Sequence, residues 1–83
     1  MKDMKAPKLS KRDETLIGSL LIGKESETIR NPYSGEKCEL DARGVALYDF
    51  IKGSEVMRLY DKLEKGLTLF RKLYPTEYYV LLD

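Results

Sequence analysis

The chain has 83 residues, with 15 Lys or Arg against 14 Asp or Glu and a net charge of +1. That length holds one domain near the lower limit of what a single core stabilises, and near-neutrality argues against a protein that coats nucleic acid non-specifically. No His or Trp is present and Cys38 is the one cysteine, so Ser-His, Cys-His and His-metal chemistries lack their parts and a non-enzymatic protein is expected.

Residues 1–14 read as a flexible charged arm, with residues 15–83 as a single small domain. Lys2, Lys5, Lys8, Lys11 and Arg12 face one acid, Asp3, over the first twelve positions. Such an arm serves as a solubilising tail or as a contact to phosphates. Ser10 followed by Asp13 resembles a helix start, and Leu16, Ile17, Leu20 and Leu21 would share one face of a helix over 10–23 that Gly23 terminates. A short buried strand is the competing reading for residues 16–22, because so short an apolar run fits either period. The run is brief for a secretory core and no small-x-small cleavage pattern follows it. A lone cysteine cannot make an internal disulfide, which points to a reducing cytoplasm.

A β-hairpin is predicted over about 28–40. Asn31 can close an Asx turn, Pro32 presets its own φ, and Gly35 accepts the positive φ that returns the chain to the second strand. Alternation on that strand places Cys38 and Leu40 on the core face and Lys37 and Glu39 outside. Two strands alone are unstable, so the hairpin must lie on helices.

Asp41 is a good N-cap for a helix over about 42–53, with Leu40 and Val45 as the staple across its first turn. Gly53-Ser54 reads as a stop and a new cap, although the helix could continue to about Met57. A second helix is predicted over about 55–74. Val56, Tyr60, Leu63, Leu67, Phe70 and Tyr74 form a heptad-spaced seam along it, which suits the core face of a small bundle or a self-associating coiled coil. Gly66 beside the seam implies close approach of a neighbour, with the hairpin or the C-terminal segment as candidates. Pro75 ends this helix, and residues 76–82 are expected to form a short helix that docks its leucines, a strand being the alternative. The fold class is therefore α+β and mostly helical, a short hairpin packed on two or three helices.

No metal or cofactor motif is complete. Gly18-x-x-x-x-Gly23-Lys24 matches the start of a phosphate loop, but Glu25 replaces the hydroxyl residue that would hold Mg²⁺, and the interior Ser-Leu-Leu-Ile prefers burial. The carboxylates Glu36, Glu39, Asp41, Asp61 and Glu64 have ordinary roles in solvation, capping and i, i+4 pairing such as Asp61 with Lys65.

Two surfaces remain as candidates. Tyrosine offers contact area with few rotors and a polar tip. Tyr33 at the hairpin tip is hard to explain as core, and Tyr74, Tyr78 and Tyr79 cluster around Pro75. These four are the expected contacts to a protein partner. The alternative is a nucleic-acid interface using Lys2, Lys5, Lys8, Lys11 and Arg12 with the outer stripe Arg58, Lys62, Lys65 and Lys72, although Glu55, Asp61 and Glu64 interleave it. A homo-oligomeric minor structural protein is the third reading, through the heptad seam.

The residues Asn31-Pro32-Tyr33-Ser34-Gly35-Glu36, Glu39-Leu40, Val45-Ala46-Leu47-Tyr48-Asp49-Phe50-Ile51-Lys52-Gly53, Lys65-Gly66-Leu67, Phe70-Arg71-Lys72 and Tyr74-Pro75 through Leu81-Leu82-Asp83 resemble small uncharacterised proteins of tailed bacteriophages. The resemblance covers about residues 29–83. It implies a viral genome and a host bacterial cytoplasm, and supplies no catalytic residues to carry over. Short phage proteins of this kind are often modulators of host enzymes or minor structural components, so the reading is a small protein-binding module, an accessory factor acting on a host protein.

Overall fold

The computed structural model describes residues 9–82. Ser10 caps the first helix, α1 (Lys11–Leu20), its hydroxyl accepting from the Asp13 amide at 3.1 Å. The boundary expected at residue 14 therefore moves back, since Lys11–Glu14 form the first turn of α1. Residues 1–8 of the expected arm lie outside the described residues. Helix wins over strand for residues 16–20 because α1 buries Ile17 and packs Leu16 and Leu20 against the core, leaving its other side in water.

Strands β1 (Glu27–Arg30) and β2 (Lys37–Leu40) pair antiparallel, with Ile29 opposite Cys38 and Glu27 opposite Leu40. Leu40 is buried, Cys38 and Ile29 are half-buried, and Lys37 and Glu39 are exposed, the alternation a one-sided strand requires. Gly35 takes φ +80° where the turn re-enters β2.

Helix α2 (Ala42–Val56) begins as expected, with Asp41 accepting from the Gly44 amide at 2.9 Å. It does not stop at Gly53-Ser54. Ser54 is buried inside α2, and the burial of Val45, Ala46, Leu47 and Ile51 along a helix apolar on nearly every side offsets the roughly 1 kcal/mol that Gly53 costs in a helix.

The true stop comes at Met57. The Arg58 amide bonds to the Glu55 carbonyl and the Leu59 amide to the Ser54 carbonyl, the two bonds of a Schellman motif. Arg58 carries the left-handed conformation, φ 59°, that this motif places on the residue after the cap. The seam predicted from Val56 to Tyr74 is accordingly broken at its start. Val56 ends α2 at 81% exposure and Tyr60 opens α3 at 66%, so neither is core.

Helix α3 (Tyr60–Leu73) has no side-chain cap, starting on Leu59. From Leu63 onward its apolar face is used internally, with Phe70 and Leu69 buried and Leu63, Leu67 and Leu73 packed against them. Leu69, which the heptad spacing leaves out, is part of the core. Gly66 faces α2 and neither the hairpin nor the C-terminal segment. A Cβ there would lie 2.8 Å from Ile51 Cγ1 and 3.0 Å from Phe50 Cδ2, so the missing side chain sets how closely α2 and α3 approach.

Helix α4 (Pro75–Leu81) follows with Pro75 at its first position, where no amide is needed. Leu81 is buried and Leu82 and Val80 pack against the core, the leucine docking expected of a short helix. The hairpin lies on α4 and α2. The architecture is α+β and mostly helical, with α2 at the centre of α1, α3 and the hairpin.

Candidate partner-binding surface

The hairpin turn is built around Asn31. Its side-chain oxygen accepts from the amides of Tyr33 and Ser34 at 2.8 and 3.2 Å, and its side-chain nitrogen donates to the Val80 carbonyl at 2.8 Å. The Asn31 amide donates to Glu36 and its carbonyl accepts from Gly35. A buried Asn with these bonds satisfied fixes both the local turn and its docking on α4. The sequence predicts the Asx turn; the bond to Val80, 49 residues away, is a tertiary fact.

The consequence is a rigid turn carrying an exposed ring. Tyr33 is 95% exposed on a backbone held by the Asn31 bonds. Beside it lies an open cleft of about 270 Å³. Asn31 and Tyr33 of the turn line this cleft, with Leu81 of α4 and its C-cap Leu82. Ile51, Lys52 and Glu55 come from α2, and Leu63 and Leu67 from α3.

The other three tyrosines divide. Tyr74 is 9% exposed and its hydroxyl donates to Asp41 Oδ1 at 2.6 Å while accepting from Arg43 Nε at 2.9 Å. Burial first, with the adjoining Asp41 carboxylate, pushes its pKa up to about 12 against the pull of Arg43. Tyr74 is thus engaged within the fold, with almost no area for a partner. Tyr78 is half-buried, edge-on to Tyr79 at 5.9 Å and facing the Arg71 guanidinium. Tyr79 is 65% exposed and open to contact.

The basic residues also rearrange. Lys2, Lys5 and Lys8 lie outside the described residues. Lys11 and Arg12 are exposed on the first turn of α1, and Lys72 is exposed on α3. Arg58 sits in the α2–α3 corner and not on the long helix, so the predicted stripe loses its first member. Lys65 pairs with Asp13 at 2.7 Å, not with Asp61. Its hydrogen bond holds the Asp13 carboxyl below the usual range, although burial opposes this. That pair links the first turn of α1, which packs on α2, to α3, and Arg12, Lys62 and Lys65 line a second cleft with Leu16, Phe50 and Asp61. The phosphate-loop match is helix for its first half, since Gly18–Leu20 lie within α1, and Lys24 pairs with Asp49 at 2.7 Å.

Among the described residues no helix is long and apolar enough to cross a membrane. No protein-family model, curated protein or solved structure matches the chain.

Proposed function

We propose that the chain is a non-enzymatic protein-binding module, a phage accessory factor that acts on a host protein in the bacterial cytoplasm. The observation that carries this reading is Tyr33, an exposed ring on a turn pinned by Asn31, beside a cleft of mixed polar and apolar lining. A turn whose backbone is already held loses little main-chain freedom on binding, and the exposed ring and the leucines of the cleft supply the area that a protein contact needs. Tyr79 is the second candidate contact.

The test is affinity capture from nuclease-treated lysate of the natural host, comparing the wild type with Tyr33→Ala. The expected result is one stoichiometric host protein that the variant captures less well, while thermal stability is unchanged because the ring touches almost nothing in the fold. A variant that captures equally well, or unfolds, refutes the role of Tyr33.

A nucleic-acid reading has one observation in its favour, the convergence of Arg12, Lys62 and Lys65. It predicts binding to oligonucleotide that falls steeply with salt. Absence of binding at low salt rejects it.

A further inference from the structure

The second cleft, between α1 and α3, has a volume of about 280 Å³, a floor of half-buried Leu16 and Phe50, and a rim of Arg12, Lys62, Lys65 and Asp61. Its floor is preformed. Phe50 leaves α2 against the bare backbone of Gly66, where a Cβ would stand 3.0 and 3.3 Å from two ring carbons. A Cβ at position 66 would require the ring to give way by a few tenths of an ångström.

The rim is not uniformly positive. Lys65 is answered by Asp13 at 2.7 Å, and Asp61 contributes a negative charge of its own. Among the described residues neither Arg12 nor Lys62 has a carboxylate partner. Among the described residues the positive charge without an ion-pair partner is therefore local and sits beside an apolar floor. A polyphosphate, which has no apolar side chain, leaves the floor of Leu16 and Phe50 uncovered. An acidic, apolar peptide fits both features, its Leu or Phe side chain on Leu16 and Phe50 and its carboxylate by Arg12 and Lys62.

We infer that the α1–α3 cleft is a docking site for an acidic, hydrophobic segment of a partner protein, distinct from the Tyr33 surface. This deepens the protein-binding reading and rests on it. Seating a segment here while Tyr33 contacts the partner elsewhere would make recognition two-sided, with the rim charges governing encounter and the floor governing residence.

The experiment is an NMR titration of the isotope-labelled full chain with three probes: the acetylated, amidated peptides Glu-Leu-Phe-Glu and Lys-Leu-Phe-Lys, and a short oligothymidylate. The acidic peptide is expected to shift the amides around Arg12 to Leu16 and Asp61 to Lys65 and the Leu16 methyls, saturably, while the lysine-flanked peptide leaves them in place. Lys62→Glu, at an exposed position, should weaken the acidic peptide roughly tenfold with the remaining spectrum unchanged; Arg12→Glu is a second variant with the same expectation. Tyr33→Ala should leave this titration as it is. Shifts around Tyr33 and Leu81 instead of the cleft overturn this site while leaving the protein-binding reading standing. Saturation of the cleft by oligothymidylate with none by the acidic peptide overturns both. No shift from the acidic peptide overturns the site alone if Tyr33→Ala still impairs capture.

Discussion

The Tyr74 hydroxyl donates to Asp41 Oδ1 at 2.6 Å, joining the α3–α4 junction to the N-cap of α2. The same carboxylate oxygen caps the Gly44 amide, and Arg43 Nε donates to the Tyr74 oxygen. One residue thus orients the start of the central helix and the turn into α4. Tyr74→Phe removes a bond to a charged acceptor without opening a cavity, since the ring stays. A loss of about 1–3 kcal/mol is expected, read as a lower urea midpoint with unchanged slope.

The same pair dictates a pH dependence. Folding raises the Tyr74 pKa to about 12, against about 10 in the unfolded chain. Between those values the unfolded chain has released a proton that the folded one keeps. This contribution is therefore whole below pH 10 and is lost as pH rises towards 12. On the acid side, burial of Asp41 opposes its charge, but the Tyr74 hydroxyl, the Gly44 amide and Arg43 outweigh it and hold the carboxyl below its usual value. The Lys65 hydrogen bond does the same for Asp13. Their contributions are present above the ordinary aspartate pKa of about 4 and disappear as pH falls through the lower folded values. Urea denaturation across pH should show both declines, and Tyr74→Phe should flatten the alkaline one.

Two single substitutions should move stability in opposite directions. Gly66→Ala improves helix propensity by about 1 kcal/mol, yet its Cβ would meet buried Ile51 at 2.8 Å, and overpacking of this kind costs about 1–3 kcal/mol. The net effect is a destabilised α2–α3 pair. Arg58→Gly places glycine where the Schellman motif already holds φ 59°, and relieving a left-handed L-residue should gain on the order of 1 kcal/mol. Paired denaturation curves in urea decide both signs.

Asn31→Ala removes the bonds to the Tyr33 and Ser34 amides and to the Val80 carbonyl together. Because the site is buried, a loss of about 2–3 kcal/mol is expected. Capture of the partner should weaken even under conditions where the chain stays folded, since Tyr33 is no longer held. Hydrogen exchange would show the turn amides losing protection ahead of the core. Undisturbed turn amides would mean that the Asn31 side chain does not hold the turn.

Local chemistry was legible in the sequence wherever a polar side chain bonds within a few residues of itself. Ser10 and Asp41 as caps, the Asx turn at Asn31, positive φ at Gly35 and the end of the long helix before Pro75 all rest on effects of short range, and all are present. The α2–α3 corner was legible only as one of two alternatives, a helix continuing past Gly53 to about Met57, and the other, a stop at Gly53-Ser54, is the one that fails. Met57-Arg58-Leu59 offers neither a glycine to stop a helix nor a hydroxyl or carboxylate to start one, so the heptad spacing ran through it and enlisted Val56 and Tyr60. The exposed ring of Tyr33 could be read from its place in the turn. The engagement of Tyr74 could not, because its partners lie more than thirty residues away.

The sequence by itself determined an α+β, mostly helical domain with a hairpin, because periodicity and capping act along the chain. Only the tertiary structure decided where α2 ends, which neighbour Gly66 admits, that Lys65 answers Asp13, and which tyrosines remain for a partner. Each of these depends on which faces compete for the same buried volume, and that competition is settled between segments far apart in sequence.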